Sequence, residues 1–237
     1  RKHIQKYYQE TIEKLGGFPE RLKPISLFSH IDLEDNFLDY DDINEQISDY
    51  QLSLFKPSNY VLEQYQDLYE GKVIQNNFTQ SNRENYLIGM MKVNFLKRLE
   101  SSVYSFRITL ERTIEKIKQL ESKIKKFDQY QTEMLKSEDY EIEDADDEEL
   151  QAAFEVGREL KYQLKYLDID RWLFDLARDR RQLNKLYIQA KDVDVCRDAK
   201  LAKLKECIEK KVTHPTFNKQ DKENKKVIIF TAFADTA

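Results

Sequence analysis

Glycine and proline are scarce in this chain of 237 residues, which contains only 5 Gly and 4 Pro. Average usage would give roughly 17 and 12. Sandwiches, barrels and disordered tails use these residues for turns and linkers, so their shortage argues against all three classes. Long hydrophobic runs are also missing, because no stretch approaches the ~20 apolar residues that a membrane-spanning helix needs. The sequence therefore predicts no membrane partner.

Cysteine is nearly absent as well. Cys196 and Cys207 lie in a stretch predicted to be helical, which separates them by roughly 16 Å along the axis, too far for a disulfide. The start of the chain, Arg1 to Ile4, has no apolar segment or cleavage site behind it and so does not resemble a signal peptide. These features predict a reduced, cytoplasmic location. Because there is no initiating Met, we expect the chain to be a piece of a longer protein.

Motifs for catalysis and cofactor binding are also missing. The five glycines nowhere form the GxxxxGK[ST] loop that holds nucleotide phosphates. The three histidines have no Cys or carboxylate neighbour at metal-ligand spacing. The sequence predicts no catalytic residue, no metal ligand and no cofactor-binding residue within these 237 positions.

Helical periodicity is what the chain has in abundance. Charged residues make up 35% of it, and the 14 Tyr and 13 Phe add apolar faces, a mixture typical of long amphipathic helices. Apolar residues from Leu96 to Phe127 recur in steps of three and four, the spacing of a coiled-coil seam. This spacing predicts a helix over 86–127, roughly 63 Å long. A second helix is predicted over 148–190, and a turn near 137–147 would fold the two into an antiparallel hairpin.

Two short segments differ from this helical pattern. Residues 22–29 lie among prolines, and residues 226–231 contain the continuous apolar run Val227–Phe230. Such a run is typical of a strand buried on both faces of a parallel sheet. The predicted fold is therefore mainly α: a long antiparallel helical hairpin, coiled-coil-like, plus shorter helices, with short strands near 22–29 and 226–231.

Charge is unevenly distributed along the chain. Residues 138–149 carry nine acidic side chains and no basic one. Residues 86–136 hold 11 Lys and Arg against 6 Asp and Glu, and residues 197–226 hold 10 against 5. The two basic stretches have two interpretations that the charge pattern leaves open: solvated helix faces, or a weak footprint for a phosphate backbone.

One stretch resembles a known family. The segment from Lys97 to Glu111 begins Lys-Arg-Leu-Glu-Ser-Ser and resembles the KRLESS signature of bacterial Swi/Snf-type superfamily II helicases. Residues 226–233 are similar to helicase motif IV, the first strand of the second motor lobe. Residues 1–4, 18–24 and 198–204 resemble, in order, the end of the first lobe, its following strand and the helix that opens the second lobe.

The resemblance implies four regions. Residues 1–38 would end the first RecA-like lobe, and residues 39–84 would form short helices of the linker region. Residues 85–212 would be a helical insertion, and residues 213–237 a polar linker with the first strand of the second lobe. The family's ATP-binding and magnesium-binding motifs lie outside this sequence. The parent protein would be an ATP-dependent helicase or translocase that uses ATP and Mg²⁺ on double-stranded DNA, whereas this piece alone would be inactive.

The resemblance and the basic stretches also suggest site residues. The candidates for contact with nucleic acid are Lys97, Arg98, Arg107, Arg112 and Thr231. Arg98, Ser101 and Ser102 are alternatively candidates for the interface with the two motor lobes, which would be partners in cis. A competing hypothesis makes the chain a non-enzymatic coiled-coil adaptor or oligomerisation module, because the long seam can pair between chains as well as within one.

Overall fold

The computed structural model describes residues 2–14, 23–69, 73–75, 78–130, 134–135, 162–217 and 221–236. The chain divides into two compact units. The smaller combines residues 1–35 with 195–230, and the larger combines residues 36–194 with 231–237. In the described part, the helices are α1 (Lys2–Lys14), α2 (Tyr40–Asp49), α3 (Gln80–Ser101), α4 (Val103–Tyr130), α5 (Ile169–Asp192) and α6 (Ala199–Thr213).

The prediction of a mainly helical fold with a long antiparallel pair is confirmed. Helices α4 and α5 pack side by side in the larger unit. Arg180 of α5 bonds to Glu121 of α4 at 3.2 Å, and Tyr187 bonds to Glu111 at 3.2 Å. As the number rises along one helix it falls along the other, so the pair is antiparallel. None of the described helices is both long and apolar enough to cross a bilayer.

The seam is buried as its spacing predicts, but it does not lie on one continuous helix. The seam side chains from Leu99 to Ile124 are at most 5% exposed. At Ser102 the backbone turns to extended angles, φ −163° and ψ 152°, and α3 ends. The Ser102 hydroxyl then accepts a hydrogen bond from the Ser105 amide at 3.0 Å and so caps the start of α4. The predicted helix over 86–127 is therefore two helices that pack against each other, with Phe95 and Phe106 in edge-to-face contact.

The second predicted helix, over 148–190, is also shorter than expected where it can be described. Residues Tyr162–Gln163 form a strand and Leu164–Tyr166 a 3-10 turn. Helix α5 begins only at Ile169, where the Asp168 carboxylate accepts a bond from the Arg171 amide at 3.1 Å. The predicted turn near 137–147 and the helical positions 148–161 lie outside the described residues.

Three 3-10 turns follow α2, over Ser53–Phe55, Pro57–Tyr60 and Glu63–Leu68. The first two contact both α3 and α5. Trp172 of α5 is fully buried and donates to the Ser53 carbonyl at 3.0 Å. Its ring stacks on Tyr60, with centroids 5.4 Å apart. Polar contacts thus fix these turns to α5, and the larger unit has one core.

The smaller unit is built around a contact between distant parts of the sequence. The Leu33 amide donates to the Arg197 carbonyl at 2.8 Å, and the Ala199 amide donates to the Ile31 carbonyl at 3.2 Å. The buried Asp32 carboxylate accepts two bonds from the Arg197 guanidinium, one of them 3.0 Å long. Helix α6 follows, capped by Asp198. Both cysteines are free thiols; Cys196 lies before α6 rather than within it.

The strands differ from the prediction. The described ladders are three two-stranded antiparallel pairs: β1 (Val73–Gln75) with β2 (Phe78–Thr79), β3 (Met134–Leu135) with β4 (Tyr162–Gln163), and β5 (Thr216–Phe217) with β6 (Glu223–Asn224). Residues 23–29 and 226–231 belong to no ladder. The Phe28 side chain is 93% exposed and Phe230 89%. The expectation of strands there, the second buried on both faces, is wrong for residues 23–29 and 226–231, which pair with no strand among the residues that the structure describes.

Candidate functional site

The break between α3 and α4 positions most of the residues that the sequence singled out. Ser101 is the last residue of α3 and Ser102 is the extended residue between the helices. Because Ser102 ends one helix and caps the next, both hydroxyls and the Arg98 side chain point toward one region. The segment after the 226–230 run, residues 231–236, occupies that region and contacts α4. We call this cluster the bend site.

Arg98 is the centre of the bend site. Its side chain is fully buried, and Nη1 donates to the Ser105 hydroxyl at 3.1 Å and to the Asp235 carboxylate at 3.0 Å. The Phe233 ring covers the guanidinium, with its centroid 4.1 Å from Cζ. A buried guanidinium needs both a counter-charge and hydrogen-bond acceptors, and Asp235 and Ser105 supply them. The stacked aromatic ring adds a cation–π contact.

A second arginine also binds Asp235. Arg112 Nη1 donates to one carboxylate oxygen at 3.1 Å and Nη2 to the other at 3.4 Å. The Arg112 side chain is 43% exposed, whereas that of Asp235 is 20% exposed. Two cations on one carboxylate leave the bend site with a net positive charge. Asp235 therefore joins the buried end of α3 to the more exposed face of α4.

The two serines complete the bend site through Thr236. The Ser101 hydroxyl lies 2.8 Å from the Thr236 hydroxyl, and the Ser102 hydroxyl lies 3.2 Å from it. Thr231 is not part of this cluster: its hydroxyl bonds to the Phe233 backbone and shapes the local turn. All three residues predicted for a lobe interface, Arg98, Ser101 and Ser102, thus touch the short segment from Phe233 to Thr236.

The nucleic-acid candidates differ in exposure. Arg98, which is a candidate either for nucleic acid or for the lobe interface, has a side chain with no exposed surface, so a phosphate cannot contact it in this arrangement. Lys97 is exposed on α3, and Arg107 is half-buried, with its guanidinium 4.8 Å from the Tyr104 ring centroid. Arg112 is engaged by Asp235. The bend site does not gather these candidates into one surface.

Sequence reasoning missed the residues that hold the bend site closed: Ser105, Phe233, Asp235 and Thr236. Asp235 lies 137 positions from Arg98, and no local spacing pairs residues that far apart. A weak signal was available in Asp235 itself, an acidic residue in an otherwise small and apolar ending, next to a predicted apolar strand.

Buried carboxylates form a second polar cluster, around the 3-10 turns. Glu84 is fully buried and accepts bonds from Tyr162 at 2.7 Å, Gln80 at 3.1 Å and the Ser58 amide at 3.1 Å. Burial raises the pKa of Glu84, and its three donors partly oppose the rise. Asp179 accepts from the Ser53 amide at 2.6 Å, and burial raises its pKa too. These bonds tie Ser53 and Ser58 of the 3-10 turns to Asp179 of α5 and Glu84 of α3.

A cleft of about 430 Å³ lies beside these turns, and its lining includes Lys56, Lys92 and Arg171 together with Asp49 and Asp175. Burial lowers the pKa of Lys92, which donates to the Ser48 carbonyl at 2.5 Å. The charges largely cancel one another. Within the described ranges, no group of three or more His, Cys, Asp or Glu side chains is arranged to hold a metal ion.

Comparison with known proteins found no family model, no curated protein and no solved structure that matches this chain. The resemblance to Swi/Snf-type helicases therefore stays a prediction from the residues that carry it.

Proposed function

We propose that this chain is the inter-lobe helical region of an ATP-dependent, Swi/Snf-like DNA helicase or translocase. One observation supports the proposal most directly. The segment that resembles the KRLESS signature supplies Arg98, Ser101 and Ser102, and all three contact residues that directly follow the motif IV-like run. Two stretches that resemble the same family, far apart in sequence, thus lie close to each other at the bend site.

The role of the bend site follows from its chemistry. A buried arginine, a shared carboxylate and three hydroxyls hold residues 233–236 against the α3–α4 break. Directional bonds of this kind fix position and orientation more strictly than apolar contact does. In the proposed motor, the helical region would fix the residues that directly follow the motif IV-like run, and so would position the second lobe.

The proposal assigns the chemistry of ATP to residues outside this chain. Phosphoryl transfer needs a loop that surrounds the phosphates and a carboxylate for Mg²⁺. The sequence contains no GxxxxGK[ST] loop. ATP, Mg²⁺ and double-stranded DNA would be ligands of the whole motor, which we place in the cytoplasm.

The adaptor hypothesis receives less support. It needs the seam to be free for a second chain, but the seam side chains from Leu99 to Ile124 are buried within this one. We therefore expect light scattering to give the mass of a monomer at micromolar concentration. A stable dimer would favour the adaptor.

The decisive experiment measures ATP hydrolysis by the longest natural polypeptide that contains these residues, with and without duplex DNA. We expect turnover that duplex DNA stimulates, and none from the 237-residue chain alone. Absence of turnover from the long polypeptide under both conditions would contradict the motor proposal.

A variant of the same polypeptide tests the positioning role. Asp235→Asn removes the counter-charge that Arg98 and Arg112 share, and we expect DNA-stimulated turnover to fall several-fold while duplex affinity is kept. Asp67→Asn makes the same chemical change at an exposed position of the larger unit and is the matched control. Equal turnover in the two variants would remove the bend site from the mechanism.

A further inference from the structure

Helix α5 carries a row of basic residues on the face opposite its core contacts. The row has six members in steps of three and four, of which four are basic: Arg171, Phe174, Arg178, Arg181, Lys185 and Ile188. The buried residues of α5, which include Trp172, Leu176 and Leu183, follow a parallel row half a turn away. We call the outward row the α5 stripe.

The α5 stripe is free of acidic side chains. Between Asp170 and Asp192, the acidic residues of α5 are Asp175 and Asp179, whose side chains are 14% and 0% exposed. Asp175 is bonded to Tyr60 and Arg178, and Asp179 to the Ser53 amide. Both carboxylates therefore point into the larger unit, and the electrostatic potential of the outward face is set by its cations.

The cations of the stripe differ in how far they are engaged. Arg178 binds Asp175 at 3.0 Å and also the Gln51 side chain. The Arg171 guanidinium lies 5.6 Å from the Tyr60 ring centroid. Arg181 and Lys185 are exposed, and in the part of the chain that the structure describes neither has an ion-pair partner. These two side chains are available to an external anion.

The dimensions of the stripe fit a linear polyanion. From Arg171 to Lys185 the helix rises roughly 21 Å at 1.5 Å per residue. One strand of duplex DNA carries one charge per ~3.4 Å of the axis, so about six of its phosphates span the same length. A helix with four cations along one face can follow one strand of a duplex without reading its bases.

Two other classes of partner fit less well. An interfacial membrane helix needs a broad apolar face, but the only apolar members of the stripe are Phe174 and Ile188, which lie fourteen positions apart. The apolar face of α5 is buried in the core. Single-stranded nucleic acid favours several aromatic rings for base stacking, and the stripe has one.

We propose that the α5 stripe binds the phosphate backbone of duplex DNA without sequence preference, with Arg181 and Lys185 as its main contacts. This inference rests on the proposed function only for the class of partner. It assigns the DNA contact to residues that the KRLESS resemblance does not include, and it differs from the earlier candidates Lys97, Arg107 and Arg112 on α3 and α4.

The test measures binding of the full 237-residue chain to a fluorescent 20-base-pair duplex of mixed sequence by anisotropy, at several salt concentrations. The variant Arg181→Glu/Lys185→Glu reverses two exposed charges. We expect its affinity to fall about tenfold or more at low salt, and the slope of log K against log salt to decrease by about 2. Circular dichroism checks that the helix content is unchanged.

The matched control is Lys125→Glu/Lys126→Glu, which makes the same charge change at two exposed positions of α4. It should keep most of the affinity and the original slope. An unchanged slope in the α5 variant, or an equal loss in the α4 control, would overturn the proposal. So would an absence of duplex binding, or preferential binding to phosphatidylserine vesicles or to polyglutamate.

The outcome is separate from that of the ATP hydrolysis experiment, because this measurement uses no ATP and no motor lobe. Duplex binding through the stripe would stand even if the longer polypeptide proved inactive. DNA-stimulated hydrolysis by the longer polypeptide, in turn, would still support the motor proposal if the α5 variant bound the duplex as tightly as the native chain.

Discussion

The larger unit buries charge in two regions, and it does so in opposite ways. At the bend site, the cation Arg98 is buried against a carboxylate, Asp235, that remains 20% exposed. At the 3-10 turns, the carboxylates of Glu84 and Asp179 are buried and accept bonds from neutral donors: a phenol, an amide side chain and backbone amides. The bend site pairs its buried charge with an opposite charge, whereas the turns stabilise their buried carboxylates mainly with hydrogen bonds from neutral groups.

This difference has a consequence for protonation. A guanidinium stays charged at all ordinary pH values, so the bend site depends on keeping Asp235 in place. A carboxyl group that is buried away from water can instead avoid the desolvation penalty of its charged form by binding a proton. Burial therefore raises the pKa of Glu84 and of Asp179. We expect mutations to be most damaging at the bend site and pH to matter most at the turns.

The largest effect is expected from Arg98→Ala. It removes a fully buried side chain, its bond to Ser105 and its contact with Phe233, and it leaves a cavity. We expect the free energy of unfolding of the larger unit to fall by about 3–5 kcal/mol, measured by urea denaturation. A loss below about 1 kcal/mol would show that the buried cation contributes little.

Asp235→Asn should have the next largest effect. It leaves the Arg98 charge without this counter-ion, but the Asp235 side chain is 20% exposed, so water lies close to the site. We expect a loss of about 2 kcal/mol in the same denaturation experiment. The loss should be nearly absent when the variant is combined with Arg98→Ala, and additive losses would argue against direct coupling.

Asp179→Asn tests the 3-10 turns, and we expect it to raise the free energy of unfolding rather than lower it. The amide oxygen can keep the bond from the Ser53 amide while the buried charge is removed. Because the pKa of Asp179 is raised in the folded state, the native carboxyl contributes less to stability as pH rises above the unfolded value. We expect the variant to be more stable than the native chain by on the order of 1 kcal/mol at pH 7.

The pH series supplies the control for that prediction. As pH falls, the raised pKa lets Asp179 take up a proton in the folded state before it does so in the unfolded chain, so the difference between Asp179→Asn and the native chain should shrink. A difference that is constant from pH 4 to pH 7 would mean that the buried carboxyl does not take up a proton.

The smallest effect is expected from Arg112→Gln. This arginine binds the same carboxylate as Arg98, but its side chain is 43% exposed and its bonds compete with water. We expect a loss of no more than about 1 kcal/mol by urea denaturation. A loss as large as that of Arg98→Ala would mean that exposure does not separate the roles of the two arginines.

Local spacing predicted much of the larger unit. The three-four pattern through Leu99, Val103 and Phe106 is one that only a helical face can bury, and these residues are indeed in the core. The pattern gave no sign of the break at Ser102, because both helices keep their apolar face toward the same core on either side of it. The break depends on one hydroxyl cap rather than on Gly or Pro, so composition did not reveal it.

Contacts between distant residues could not be predicted. The bond from Arg98 to Asp235 and the pairing of Asp32 with Arg197 each join positions more than a hundred residues apart. The run Val227–Phe230 shows the converse error. Its composition is that of a buried strand, but burial requires neighbouring strands, and none of the described residues pairs with this run. The residue types of a segment indicate which secondary structures it can form, but contacts with other segments determine which one it adopts.

The separation between Arg98 and Asp235 also sets an order of events during synthesis. Ribosomes add about 5–20 residues per second, so Asp235, which lies 137 positions later, follows Arg98 by roughly 7–27 s. Helices form in microseconds and therefore precede it. During that interval the guanidinium at the end of α3 has no carboxylate and must remain hydrated. Closure of the bend site is consequently a late step, after the helices around it have formed.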